Sequence, residues 1–303
     1  MQHNKWLLVD TPVKADEALK DIKSSSVISM DTEYDSFHYF RDKLCLIQIK
    51  TKRKTYLFDP LGDIDLSFLG EHFAASSLCK IMHAGDNDVR ILKRDYGFFF
   101  NNIFDTHRAA LLLGCSRLSL AALVSQYLGI EFEKNKKIQR SKWDLRPLTE
   151  EQLAYAVMDT AYLPDLHRRL EDEILKAGLE AEAAEIFTDM AEVVWREKEL
   201  DQGGHKKIWG YWSLPDGCKE RLKRLFRWRY LKAKAINRAF FMILSDKDLF
   251  SLSEAEIGNL EDLGDKGLLS RDKIRLLGPE LVEILSGEDK SIKAHSSQNS
   301  RHS

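Results

Sequence analysis

Short apolar runs separated by polar turns dominate the first third of the chain. We predict strands at Trp6–Val9, Val27–Glu33, Lys43–Lys50, Thr55–Phe58 and Lys80–His83. Between the first two strands, apolar residues recur at helical spacing from Ala15 to Ile22, after a polar cap at Thr11. Strands followed by alternating strands and helices predict an α/β fold in which helices cover a mixed sheet.

Two further helices are predicted in the middle of the chain. One runs from Asp86 or Asn87 to about Tyr96. The other begins at Thr149, whose side chain can cap the helix while Gln152, three residues on, completes the capping pair. This second helix carries Tyr155 and Asp159.

Two acidic residues close the second predicted strand. Asp31 and Glu33 follow an apolar run, and because alternate side chains on a strand share a face, both carboxylates point the same way. Carboxylates this close repel each other unless a proton or a cation neutralises them, and their oxygens suit Mg²⁺ or Mn²⁺. Taken alone, the pair also fits an exposed strand end, and both interpretations stay open.

More acids stand on two later elements. Asp88 lies in the first turn of its helix, and Asp159 follows Tyr155 by four residues, which places that pair on one helix face. Four carboxylates on three elements suit a site in which two cations, about 3.5 to 4 Å apart, promote phosphodiester hydrolysis. Individually, Asp88 also fits a partner of the helix dipole and Tyr155 a half-buried anchor.

The order of these motifs closely resembles the DEDD exonuclease superfamily, in its tyrosine-bearing branch. Between the motifs, the similarity to ribonuclease D extends to Leu46–Ile49, Gln139, Ser141, Trp143 and Arg146–Thr149. The resemblance covers roughly residues 5 to 170 and implies a ribonuclease H-like fold. It also implies 3′ to 5′ removal of nucleotides as 5′-monophosphates.

The resemblance further implies roles for the site residues. Asp31 would bridge two Mg²⁺ or Mn²⁺ ions, with Glu33 and Asp159 completing one site, while Asp88 holds the other partly through water. Tyr155 would orient the attacking water or take its proton. We expect His83 and Asp105 to be structural, and Asp86 has no assigned role.

A basic segment precedes the Thr149 helix. We predict that Lys136, Gln139, Arg140 and Ser141 form a loop that meets substrate phosphates. The alternative is a solvated loop, since basic clusters are usually surface. The family resemblance favours the first interpretation.

The C-terminal part resembles the HRDC domain, a small helical module, over about residues 205 to 286. The family usually has a proline where Ala239 stands, which puts the nucleic-acid role of this domain in doubt. Basic and aromatic residues alternate between Lys206 and Arg238, a pattern that suits single-stranded nucleic acid. We predict contacts by Arg227 and Arg229, with Trp228 between them buried and both arginines exposed.

Length and composition set the remaining expectations. The 303 residues carry a net charge of only −2, so any surface for nucleic acid must be local. Four scattered cysteines favour a reducing cytoplasm, and no signal peptide or membrane span is predicted. We expect an exonuclease domain (1–170), a helical linker (171–204), an HRDC-like all-α domain (205–286) and a disordered tail (287–303).

Three functions remain open from the sequence. The first is a metal-dependent 3′ to 5′ exoribonuclease that acts on single-stranded RNA 3′ ends, such as those of transfer RNA precursors. The second is an exonuclease on single-stranded DNA, and the third is a catalytically inactive RNA-binding scaffold. We expect a monomer without a small-molecule cofactor, and the lack of a phosphate-binding Gly-x-x-x-x-Gly-Lys-Ser/Thr loop argues against a helicase.

Overall fold

The computed structural model describes residues 6–133 and 135–286. The predicted disordered tail, residues 287–303, lies outside the described residues. The described residues divide into a first unit, within residues 6–35 and 42–196, and a second unit, residues 36–41 and 197–286. Among the described helices, none is both long and apolar enough to cross a membrane.

The first unit is built around a mixed sheet, as the pattern predicted, with six strands where five were predicted. Its strands are β1 (Trp6–Val9), β2 (Val27–Asp35), β3 (Lys43–Lys50), β4 (Thr55–Phe58), β5 (Cys79–Met82) and β6 (Ile103–Asp105). They lie in the order β1-β4-β3-β2-β5-β6. β2 pairs antiparallel with β3 and parallel with β5, so the strand that carries the two acids lies in the interior of the sheet.

Nine helices of the first unit are described. They are α1 (Pro12–Lys23), α2 (Leu69–Ala74), α3 (Asp86–Tyr96), α4 (Thr106–Leu112), α5 (Leu120–Leu128), α6 (Lys136–Gln139), α7 (Glu150–Ala161), α8 (Leu163–Ala177) and α9 (Glu180–Glu192). Both faces of the sheet are covered. Met30, Ile47 and Ile49 share a core with residues of α1, α2 and α3, whereas Leu46 and Leu57 share one with residues of α7.

The helices α8 and α9 correct one expectation. The sequence predicted a separate helical linker over 171–204, but the first unit extends to Arg196. Ile174 of α8 and Ala183 of α9 are buried in one cluster with Ile81 and Phe104 of the sheet. Their apolar faces contribute to the core of this unit because the sheet face beneath them is apolar.

The second unit is helical in its C-terminal part. It contains α10 (Asp216–Ile236), α11 (Phe240–Ile243), α12 (Asp246–Glu254), α13 (Leu260–Asp265) and α14 (Arg271–Ser286). Two short 3₁₀ turns, Gly204–Lys207 and Tyr211–Ser213, precede α10. Its core also includes Phe40, which lies between β2 and β3 in sequence. No sequence pattern predicted that this short segment belongs to the second unit.

Candidate active site

The two acids of β2 lie on the face of the sheet that α7 covers. Asp31 pairs in register with Gln48, and Glu33 with Leu46, which belongs to the cluster packed against α7. A bulge follows Glu33, so the register of the ladder shifts directly after the second acid. Glu33 is buried and Asp31 is partly exposed.

The helix α7 brings a third carboxylate to the same place. It begins with the predicted capping box, in which Gln152 N–H donates to the Thr149 hydroxyl at 3.2 Å and Thr149 N–H donates to the Gln152 side chain at 3.0 Å. The helix packs on β2, β3 and β4. Tyr155 and Asp159, one turn apart, therefore share a face near the acids of β2.

Three of the four predicted carboxylates form one cluster. Ligand oxygens of Asp31, Glu33 and Asp159 all lie within 4.8 Å of one another. Three hard oxygen donors at this spacing fit a divalent cation such as Mg²⁺ or Mn²⁺, which neutralises the repulsion between them. The donor set therefore fits the metal that the sequence predicted.

Asp88 lies outside this cluster of three and has a different environment. Side chains alternate along β2, so Thr32 faces α3, and its hydroxyl donates a hydrogen bond to the Asp88 carboxylate. Burial raises the pKa of Asp88 to about 6, although the hydrogen bond from Thr32 acts in the opposite direction. Its predicted place in a second cation site stays a prediction. The sequence did not predict the contact with Thr32.

The hydroxyl of Tyr155 is close to the clustered carboxylates. Burial, followed by the negative charges of Asp159, Glu33 and Asp31, raises the pKa of Tyr155. The hydroxyl is also hydrogen bonded to Asp159, and the ring packs against Trp143 at a centroid distance of 6.0 Å. A phenol that stays protonated can orient a water by hydrogen bonding, and the predicted role of Tyr155 stays a prediction.

Asp105, His83 and Asp86 form structural contacts, and Asp105 orders neighbouring backbone as expected. Its carboxylate accepts hydrogen bonds from Gly85 N–H at 3.0 Å and from Arg108 N–H at 2.8 Å, which ties the start of α3 to the start of α4. His83 contacts the Thr106 hydroxyl at 2.9 Å. Asp86, which had no assigned role, forms an ion pair with Arg108 at 2.6 Å.

The predicted phosphate-binding loop is exposed, but it is not entirely a loop, because the Asn135 side chain caps the short helix α6 within it. We call residues 136–141 the basic loop. Lys136, Gln139 and Arg140 lie on the surface, and no salt bridge holds Lys136 or Arg140 within the described part of the chain. Ser141 accepts a hydrogen bond from the Gln152 amide at 2.9 Å, which ties the loop to α7. The loop therefore offers two positive charges to a ligand, and its contacts with nucleic acid stay a prediction.

Arg229 corrects the prediction for α10. Arg227 is exposed as expected, but Arg229 is only 6% exposed, donates to the Leu244 carbonyl at 2.9 Å and forms an ion pair with Asp246 at 2.8 Å. The physical reason is helical spacing, since Leu225 and Ala233, four residues to either side, are also buried. Trp228, expected to be buried, is half-buried and donates to Glu280 at 2.8 Å.

Comparison with known proteins identifies the family. Residues 7–175, more than half of the chain, match the family model described as 3′-5′ exonuclease. The chain belongs to this family. Residues 219–285 match the HRDC domain, which confirms the second resemblance.

Structural relatives confirm the ribonuclease H-like fold. The catalytic core of RRP6 from Trypanosoma brucei matches with a TM-score of 0.83 over 94% of this chain and 81% of that chain, at 22% identity. RNase D of Escherichia coli, an exoribonuclease involved in structured RNA processing, matches with a TM-score of 0.68 over 94% of this chain and 76% of that chain, at 26% identity.

The chain is also similar to a component of a larger assembly. The exosome complex component 10 homolog of Drosophila melanogaster is 28% identical over 263 residues. The match covers 84% of this chain but only 29% of the relative. The chain thus spans less than a third of that relative's length.

Proposed function

We propose that this chain is a metal-dependent 3′ to 5′ exoribonuclease that releases nucleoside 5′-monophosphates from RNA 3′ ends. The observation that carries the proposal is the cluster of Asp31, Glu33 and Asp159, with Tyr155 beside it, in a chain of the 3′-5′ exonuclease family. The names of the relatives support RNA over DNA, since one is described as an exoribonuclease and another as an exosome component.

The residues of the site have different proposed roles in the reaction. Asp31, Glu33 and Asp159 would hold one divalent cation, and Asp88, together with Asp31, would hold a second. When bound, such cations lower the pKa of an attacking water and neutralise charge on the phosphodiester. The Tyr155 hydroxyl, which donates its proton to Asp159, accepts a hydrogen bond from this water and so orients it for in-line attack. Lys136 and Arg140 attract the backbone phosphates, while Gln139 and Ser141 contribute polar contacts. Arg227, in the second unit, provides a separate contact with nucleic acid.

The proposed natural substrates are structured RNAs such as transfer RNA precursors, processed in the cytoplasm by a monomer. The description of RNase D as an enzyme of structured RNA processing supports this class of substrate. A precursor with a 3′ extension on a folded RNA tests it. We expect trimming of the extension to stop near the folded part, whereas complete degradation would indicate a role in RNA decay.

The first experiment is cleavage of a 5′-labelled single-stranded RNA in Mg²⁺, in Mn²⁺ and in EDTA. We expect a ladder that shortens from the 3′ end only with metal. Asp31→Asn should slow it by at least about 10³-fold, because several kcal/mol of transition-state stabilisation are lost. Tyr155→Phe should slow it on the order of 10²-fold, because the water is misplaced. Glu151→Gln, an exposed acid on α7, is the matched control and should retain activity.

The same assay separates the alternatives. Substrates with a single 3′-terminal deoxyribose distinguish RNA from DNA preference, since only the 2′-hydroxyl differs. Faster cleavage of the deoxyribose end would favour the DNA exonuclease, whereas equal cleavage would mean that the terminal 2′-hydroxyl is not recognised. If the parent binds RNA and leaves it intact in both metals, the proposed chemistry is wrong and the RNA-binding scaffold takes its place.

A further inference from the structure

A cleft of about 660 Å³ lies in the first unit, away from the carboxylate cluster. It is bordered by the end of α8, by α9 and by the edge strand β6. Its lining contains apolar residues, which we call the floor and which include Phe104, Leu175 and Phe187, and acidic residues, which we call the rim and which include Asp172, Glu180 and Glu192. We call it the acidic cleft. It shares no lining residue with the candidate active site.

The apolar floor is accessible at one end. Leu175 is 64% exposed although it lies beside the buried Ile174. The ring of Phe104 packs against Phe187 at a centroid distance of 4.7 Å, which gives the floor a rigid aromatic part. An exposed leucine next to packed aromatic rings is the kind of surface that an apolar side chain from another molecule can cover.

The carboxylates that line the cleft all have the same charge, and only Glu171 has a possible partner within the described lining, His167, at 3.8 Å. No Lys or Arg is among the residues that line the cleft in the described structure. Asp172, Glu180 and Glu192 form no salt bridge with a described residue, and the neighbouring Lys176 pairs with Glu173 at 2.9 Å. The net charge of the whole chain is only −2, so this concentration of negative charge is local.

We propose that the acidic cleft binds a cationic amphipathic segment of a partner protein. Two or more large apolar side chains of that segment cover the floor, and its Lys or Arg residues face the rim carboxylates. Amphipathic helices bind to apolar grooves in this way, with charge complementarity fixing their orientation. Nucleic acid does not fit here, because the unpaired rim carboxylates repel phosphates.

A displayed library of random 16-residue peptides, selected against the full chain, tests the proposal. We expect the enriched peptides to combine large apolar residues with flanking Lys or Arg. The double variant Glu180→Lys/Glu192→Lys should weaken their binding by about tenfold or more, because it adds repulsion to the lost attraction. Leu175→Gln should also weaken it, since it removes apolar contact area.

The matched control is Glu182→Lys/Glu185→Lys, which reverses two exposed charges of α9 that do not line the cleft. It should bind the peptides like the parent, and all variants should keep the parent's melting temperature and nuclease activity. The proposal is overturned if no peptide is enriched, if the enriched peptides lack a cationic bias, or if Glu180→Lys/Glu192→Lys binds them as tightly as the parent. Self-association that this variant abolishes would assign the cleft to a second copy instead.

Discussion

The four acids of the predicted site are in unlike environments. Asp31, Glu33 and Asp159 lie together, and their mutual repulsion favours a bound cation. Asp88 is instead buried against Thr32, and its pKa is raised to about 6. In the absence of metal, the folded protein therefore holds a proton on Asp88 at pH values where the unfolded chain has lost it.

This difference predicts a pH dependence of stability. The pKa of Asp88 rises from 3.8 to about 6 on folding, so the folded state binds more protons between these values and the free energy of unfolding falls as pH increases through that range. The amide of Asp88→Asn is neutral, like the protonated acid, so the free energy of unfolding of this variant should not fall through that pH range. In EDTA at pH 7, we expect the variant to be more stable than the parent by about 3 kcal/mol.

Urea unfolding at pH 4, 5, 6 and 7 measures the effect. The exposed Asp165→Asn is the control and should follow the parent at every pH. A difference between Asp88→Asn and the parent that is the same at pH 4 and pH 7 would contradict the prediction. With Mn²⁺ the parent should be more stable than Asp88→Asn, because a cation stabilises the ionised carboxylate of the parent and not the amide of the variant.

At the scale of single elements, the start of α7 determines where two site residues lie. The buried Gln152 both closes the capping box with Thr149 and donates to Ser141 in the basic loop. Thr149→Ala should cost about 1 kcal/mol, the usual value for a lost cap. Gln152→Ala should cost more, since the cap and the bond to Ser141 are both lost. Thermal unfolding compares them, with Thr149→Ser as a control that keeps the cap.

The basic loop gives a prediction for substrate binding. Lys136 and Arg140 are exposed and form no salt bridge with the described residues, so their charges are open to phosphates. The double change to Ala should raise KM for RNA by about tenfold at unchanged kcat, and should lower the salt dependence of binding by about two phosphate contacts. Lys20→Ala/Lys23→Ala on α1 is the control. An unchanged salt dependence would mean that the RNA phosphates do not bind at Lys136 and Arg140.

Local patterns located most elements, because side-chain periodicity reports burial directly. The capping box and the acids of β2 follow from short spacings, and both lie where these spacings indicate. The exposure predicted for Arg229 is wrong because its four-residue spacing from Leu225 places it on the buried face of α10, where Asp246 and the Leu244 carbonyl offset the cost of burying its charge. The contact of Thr32 with Asp88 joins distant segments and leaves no local signal.

At the scale of the whole molecule, the two units have separate cores, although two separate segments of the chain contribute to the second unit. The short segment Ser36–Arg41 belongs to the second unit. Arg41 N–H donates to Asn237 at 2.8 Å, and Ala239 N–H donates to the His38 carbonyl at 3.0 Å. A segment far away in sequence therefore contributes both backbone bonds and apolar area to a domain matched only from residue 219 onward.

Substitution of Phe40 tests whether the segment Ser36–Arg41 stabilises the second unit. Phe40 is buried in the core of the second unit, with ring centroids 5.5 Å from Tyr230 and 5.8 Å from Phe240. Phe40→Ala should lower the stability of that unit by about 3 to 5 kcal/mol. Hydrogen exchange should then accelerate in α10 and α11, while β3 stays protected although Phe40 immediately precedes it in sequence. Phe73→Ala, in the core of the first unit, should give the opposite pattern. Faster exchange in β3 than in α10 after Phe40→Ala would mean that this segment stabilises the first unit instead.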